Sequence, residues 1–247
     1  MSWPALDAKS GRGLPAKREL RLTITPGLKA WIWLGALALI MAALIFGAAG
    51  DLSFWQGWAF LAVYFCASAL VTQYLIATNP ALLQRRLSGG PQHETEPAQR
   101  LIMALMIPGF IALLVVPGLD HRFGWSQAPA IVSLAGDVMV VAGFYMIYRV
   151  FRANSFAAAT IGVVEGQTLV STGRYAIVRH PMYAGAFVYL VGTSLALGSY
   201  WGLVVLALMS PILIWRLVDE ERVLERRLPG YSDYKRTVRY RLLPGVY

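Results

Sequence analysis

The residues of this chain best suited to chemistry gather in two places. One is the stretch Gly173–Gly185, which reads GRYAIVRHPMYAG; the other is Arg216-Leu217-Val218-Asp219-Glu220-Glu221. Between them runs Pro181–Trp215, 35 residues without a charge. Arg, His, Tyr and Glu are costly in or beside lipid. Their crowding at both ends of one apolar segment points to a polar ligand held at a membrane face.

Each group has a chemical reading and a plainer one. In Arg179-His180-Pro181, proline suits a helix start because its missing N–H costs nothing there. It also pushes His180 out of helical geometry. The free N–H groups of the first turn make an anion site, and Arg179 adds a guanidinium able to clamp a carboxylate. The plainer reading is a basic cap at a helix end. Tyr183 lies one turn further on, and Gly185 would let a flat group approach the backbone. Arg216 and Glu220 are four residues apart and share a helix face. They either close the last turn as an ion pair, or Glu220 accepts from ribose hydroxyls or an ammonium while Arg216 holds an acidic substrate group. Asp137 falls within an apolar run and receives no role.

The elements that must position these residues are membrane helices. Of the 247 residues, 57% are hydrophobic and 14% charged, against roughly a quarter charged in soluble domains. Ala30–Gly50, Leu52–Gln84 and Leu101–Leu119 carry no charge, and each reaches the ~18–20 residues that cross a bilayer core. Backbone in lipid must satisfy its own hydrogen bonds, so the expected fold is all-α, a polytopic helical bundle. Spans are expected at Leu28–Gly50, Phe54–Ala77, Arg100–Leu119 and Gln127–Val150. As one helix, Pro181–Trp215 would be about 52 Å long. The core is about 30 Å thick, so a hairpin of two short spans, five and six, turning at Gly198-Ser199-Tyr200 is favoured over one tilted helix. That gives six spans, or five if the run is unbroken.

Lys and Arg concentrate in the N-terminal tail, the Thr78–Gln99 loop, the Phe151–His180 segment and the C-tail. The positive-inside rule then sets both termini in the cytoplasm, with the two polar groups on that same side. A net charge of +9 reads as attraction to anionic lipid rather than nucleic acid. The organisation expected is a basic cytoplasmic tail at 1–27, four spans over 28–150, and a catalytic region over 151–247. The tail lacks the apolar core of a cleavable signal. The C-tail, Val218–Arg239, shows helical spacing of apolar residues broken at Pro229-Gly230, and two amphipathic pieces on the membrane surface are expected. One cysteine, Cys66, and the scattered His93, His121 and His180 exclude a cysteine-cluster metal site and make no metal set. No glycine-rich phosphate loop follows a strand; Gly11-Arg12-Gly13 in the tail is not one.

The stretch Asn154–Pro244 as a whole resembles the isoprenylcysteine carboxyl methyltransferase and phospholipid methyltransferase superfamily. The match runs through Asn154-Ser155-Phe156, QTLVSTGRYAIVRHPMYAG, Arg216, DEERVLERRLPGYSDYKRTV and Leu243-Pro244. The resemblance implies an integral-membrane methyltransferase with S-adenosylmethionine near the cytoplasmic face. It implies cofactor contacts from Gln167, Thr168, Leu169, Val170, Tyr175, His180, Pro181, Met182, Tyr183 and Glu220. Arg216 and Arg179 are the expected catalytic residues. Gln167 replaces the histidine usual in the isoprenylcysteine enzymes, and AAAT after Phe156 is more apolar than theirs. The expected partner is a membrane lipid or lipophilic small molecule, whether a prenylcysteine carboxylate, a phospholipid amine or a small thiol. Two other readings stay open. One is a sterol-type membrane reductase using NADPH, with Arg236, Arg239 and Arg241 on a 2′-phosphate. The other is a non-enzymatic transporter or scaffold.

Overall fold

The computed structural model describes residues 25–94, 96–163 and 166–246. Residues 1–24 of the expected basic tail lie outside them. The described residues form helices and loops without strands: α1 Pro26–Ala49, α2 Trp55–Thr78, α3 Pro80–Leu87, α4 Pro97–Phe123, α5 Ala130–Ala153, α6 Pro181–Ala196, α7 Trp201–Arg227 and α8 Tyr231–Thr237. Proline sits in the first turn of α1, α3, α4 and α6, where its fixed φ suits a helix and its absent donor is not missed. Asn79 ends α2 and caps α3 through its side chain, which accepts from the Leu82 N–H at 3.0 Å.

Five helices, α1, α2, α4, α5 and α7, are long and apolar enough to cross a membrane. The expected hairpin is present, since Gly198 takes a φ of +69° between α6 and α7. A left-handed turn of this kind suits glycine, which has no Cβ to clash. Of the two short spans expected, the fifth is short: with 16 residues, α6 rises about 24 Å, less than a full bilayer core. The sixth is not, since α7 has 27 residues. The short α6 nevertheless runs from one end of the bundle to the other. Its far end meets Ser133 and Gln56, at the starts of α5 and α2.

Two ends can therefore be distinguished. At the far end, the buried Asp120 carboxylate accepts from the Ser126 N–H at 2.6 Å and from the Ser126 and Ser199 hydroxyls at 2.5 Å each. This ties the α4–α5 loop to the α6–α7 turn. At the other end, the polar end, Arg179 meets Glu221. The two polar groups of the sequence thus share one end, as the hairpin expectation required. The Thr78–Gln99 segment, expected as a loop, contains α3, whose Leu82 and Leu83 are buried. The first amphipathic piece of the C-tail is not a separate surface helix. It is the continuation of α7 to Arg227. Its Val223 is fully buried, and Leu228, Tyr231, Tyr234 and Val238 form a cluster against Leu169 and Tyr175. Those apolar faces pack on protein rather than lipid because Leu169 and Tyr175 fold back over them.

Small residues bring α5 and α6 into backbone contact, the usual device where lipid removes the hydrophobic drive between helices. Gly136 and Gly143 of α5 face Gly192 and Gly185 of α6. A Cβ at Gly143 would lie 2.6 Å from the Gly185 carbonyl oxygen, and one at Gly136 would overlap the Ala196 backbone nitrogen. Gly185 therefore serves helix packing, not the approach of a flat ligand group expected from the sequence. Gly136→Ala is expected to cost about 1–3 kcal/mol through overpacking. Thermal unfolding in detergent should fall by several degrees, while Gly47→Ala, with nothing within 4 Å of the new methyl, should not lower it.

Candidate active site

The start of α6 shapes the site. Gly185 packs against Met146 and Ile147 of α5, so α5, which ends at Ala153, continues about one turn past Pro181. Residues 154–163 and 166–180, loop apart from a short 3-10 turn at Gly173–Ala176, line the recess there. His180 precedes α6 with φ −123° and ψ 63°, outside helical geometry, which is what the following proline imposes. The first-turn N–H groups of α6 open into this recess without intrahelical acceptors.

Every sequence-predicted cofactor residue lines one pocket. Gln167, Thr168, Leu169, Val170, Tyr175, His180, Pro181, Met182, Tyr183 and Glu220 all face it, joined by Arg179, Asn154, Leu228 and Tyr231. Residues 154–162 and 167–175 give one wall, the start of α6 the floor, and α7 with α8 the other wall. Tyr183 donates its hydroxyl to Glu220 Oε2 at 2.7 Å, joining α6 to α7. Tyr175 accepts from Asn154 Nδ2 at 2.9 Å, and its carbonyl accepts from the Tyr234 hydroxyl at 2.8 Å. Burial pushes the Tyr175 phenol up to about 12, so it is a neutral ring at physiological pH.

Arg179 lines this pocket, but its guanidinium is committed elsewhere. It donates to Glu221 Oε1 at 2.6 Å and to the Val238 and Arg239 carbonyls at 2.8 and 2.7 Å. Glu221 also meets His180 Nε2 at 3.2 Å and Arg241 Nε at 3.0 Å. This buried hub fastens the start of α6, the C-terminal part of α7 and the segment after α8 together.

Arg216 faces a second cavity of about 270 Å³, walled by Met106, Phe110, Ile147, Leu190 and Leu213. Met182, Tyr183 and Glu220 line both spaces, as do Ala158, Thr160 and Ile161. The polar pocket and the apolar cavity thus lie on either side of one thin partition. Arg216 does not pair with Glu220 as the four-residue spacing allowed. It donates to Glu94 Oε1 at 3.1 Å, to Gln99 Oε1 at 3.0 Å and to the Ala159 carbonyl at 3.1 Å. The other Glu94 oxygen accepts from the Ile161 N–H at 3.0 Å, and Gln99 also donates to Asp219 at 2.6 Å.

Glu94, Gln99 and Asp219 were missed in the sequence. A single Glu in a polar loop and a Gln near a helix start carry no spacing signal. Their importance comes from long-range contact, which one sequence does not display. Asn154 could have been found, because it opens the matched stretch. Among the described residues, no cluster of His, Cys, Asp or Glu could hold a metal. His93 is exposed, and His121 stacks on Phe54 at the far end with a 4.1 Å centroid distance. The mid-helix Asp137 is buried, and its Oδ1 has no hydrogen-bond partner.

These features define a multi-pass helical membrane protein with a polar pocket and an apolar cavity side by side at one end of its bundle. Residues 131–229, from α5 into the α7–α8 turn, match the phospholipid methyltransferase family. The resemblance read from the sequence is borne out. The chain is also 30% identical over 177 residues to the Protein-S-isoprenylcysteine O-methyltransferase of Schizosaccharomyces pombe, an alignment covering 67% of this chain and 64% of that protein. The family uses S-adenosylmethionine as its methyl donor.

Proposed function

We propose that the protein is an integral-membrane methyltransferase that moves a methyl group from S-adenosylmethionine to a lipophilic acceptor. The observation that carries this reading is the shared partition: the ten expected cofactor residues line the polar pocket, three of them, Met182, Tyr183 and Glu220, also line the apolar cavity, and Arg216 lines the apolar cavity. The pocket's chemistry suits the donor. Glu220 offers a carboxylate to an ammonium or ribose hydroxyls. The first-turn N–H groups of α6 suit a carboxylate, and Leu169, Leu224 and Leu228 suit a flat base. The Tyr231 hydroxyl is buried with no hydrogen-bond partner, an orphan that a ligand in this pocket would satisfy.

When bound, S-adenosylmethionine supplies an electrophilic methyl on a sulfonium. Tyr175 and Tyr183 offer ring faces that favour a cation. Met182, Tyr183 and Glu220 hold the partition where acceptor and methyl must meet, and positioning of this kind contributes several kcal/mol. Arg216, fixed by Glu94, Gln99 and the Ala159 carbonyl, faces the acceptor and orients its head. Arg179 is a positioning residue, because its donors already hold Glu221 and the C-terminal backbone. Residues 158–161 and the helices around the cavity exclude water while leaving an approach from the bilayer. The polar end faces the cytoplasm on this reading: among the described residues, Arg122 is the only Lys or Arg at the far end, as the positive-inside rule asks.

Geometry does not favour the reductase alternative. Arg236, Arg239 and Arg241 are not among the pocket's lining residues. Arg236 pairs with Asp233 at 2.7 Å, and Arg241 with Glu221. Isothermal titration of the purified chain in detergent tests the choice. Binding of S-adenosylhomocysteine without NADPH is expected, and the reverse result would overturn the proposal. Incubation with methyl-labelled donor and a lipid extract should then label one lipophilic product, whose structure identifies the acceptor.

A further inference from the structure

The acceptor cavity contains a cation that the reaction described above does not use. Arg86, on α3, lines it, as Arg216 does. Its Nη1 donates to the Ala157 carbonyl at 3.1 Å and more weakly toward the Ala158 carbonyl at 3.5 Å. The guanidinium lies 4.6 Å from the Phe151 ring centroid. Among the described residues, no carboxylate lies within 4 Å of it. Burial lowers its pKa to about 10, so it stays charged at neutral pH.

The charges around the cavity sort themselves by partner. Arg216 is matched by Glu94. Glu220 is held by Tyr183 and faces the polar pocket as well, where a cationic donor would use it. Arg86 alone is left without an anion. A half-buried guanidinium resting on carbonyls and a ring face favours an anionic guest, because unpaired charge away from water is costly. Apolar wall then continues away from it. Tyr189 and Leu190 line both this cavity and a neighbouring apolar one of about 320 Å³ that reaches Leu37, Phe60 and Leu113.

We propose that Arg86 is the anion-recognition residue of the acceptor site, and that the acceptor is an amphiphile whose carboxylate or phosphate meets Arg86 while its hydrocarbon chain runs past Tyr189 into the membrane interior. This rests on the methyltransferase reading for the role of the cavity, but the anion site can be measured without turnover.

The purified full chain in nonionic detergent is titrated with dodecyl phosphate, laurate and dodecanol in the absence of donor. The two anions should bind at least roughly tenfold more tightly than dodecanol, with Arg86→Gln erasing the preference and Arg86→Lys keeping most of it. The stronger of the two anions separates a phosphate-bearing head from a carboxylate one. Equal binding of all three amphiphiles, or a preference that survives Arg86→Gln, would overturn the proposal. Affinity for S-adenosylhomocysteine should stay within about twofold in both variants; a parallel loss there would mean that Arg86 only holds the loop at Ala157 and Ala158, which also overturns it. Wild-type protein that fails to bind S-adenosylhomocysteine yet keeps the Arg86-dependent anion preference would defeat the methyltransferase reading and leave the anion site standing.

Discussion

Glu220→Ala is expected to weaken S-adenosylhomocysteine binding by roughly 10- to 100-fold, the loss of one or two hydrogen bonds to a charged group. The protein should remain folded. Glu220 is half-buried, and its hydrogen-bond partner is the Tyr183 hydroxyl, which can turn toward water or ligand when the carboxylate goes. Its neighbour provides the contrast. Glu221 is the anion for Arg179, His180 and Arg241. Removing it leaves the buried Arg179 without a carboxylate, a change that costs about 3–5 kcal/mol. Glu221→Ala should therefore lower the yield and melting temperature of the whole protein. Two adjacent acids should thus separate cleanly by titration calorimetry and thermal unfolding. If Glu220→Ala binds the ligand as well as wild type, the polar pocket is not the donor site.

That contrast shows what the sequence could and could not say. Adjacent Glu220 and Glu221 look alike in the chain, and only the helical phase of α7 divides them. One points across the partition, the other into the hub formed with the loop before α6. Local signals were legible because they act locally. Proline at position 181 set the irregular backbone of His180, and Gly198 set the turn that brings Arg179 back to Glu221. The long uncharged runs gave the helices to within a few residues. The motif order, from Gln167 to Glu220, gathered one pocket wall by wall. Long-range pairing was illegible. Arg216 could have paired with Glu220 on its own helix, but Glu94 and Gln99 arrive from more than a hundred residues away and take it. Gly185 was misread for the same reason: its role depends on Gly143 of another helix, and nothing in the local sequence names that neighbour.

The start of α6 links the fold to the chemistry. It sits about one turn below the α5 end, and Tyr183 in its first turn reaches Glu220 of α7. The loop that follows α5 then walls both spaces, through Ala158, Thr160 and Ile161. Its anchors come from the first half of the chain: Arg85 donates to the Ser155 carbonyl at 2.6 Å, Arg86 to Ala157, and Glu94 accepts from Ile161. The α3 region outside the family match thus builds the ceiling of a site whose floor lies within it. Acceptor preference should accordingly follow changes in α3 and the 88–94 segment more than changes in the 167–183 stretch.

Arg216→Met is expected to lower turnover by roughly 100- to 1,000-fold, the cost of losing a fixed cation at a reacting group, with S-adenosylhomocysteine affinity within a few-fold of wild type. The variant alone is ambiguous, because Glu94 is 1% exposed and would be left as a buried, uncompensated charge. Such an orphan costs about 3–5 kcal/mol and could remove activity by loosening the 157–161 wall. The double variant Arg216→Met with Glu94→Gln separates the two causes. The amide introduced by Glu94→Gln keeps an oxygen for the Ile161 N–H and carries no charge, so stability should recover most of the loss. Turnover should not recover, since no cation then faces the acceptor from α7. Recovery of both stability and turnover in the double variant would make Arg216 a structural counter-ion to Glu94. Recovery of stability alone, with the donor analogue still bound, places its guanidinium at the acceptor during methyl transfer.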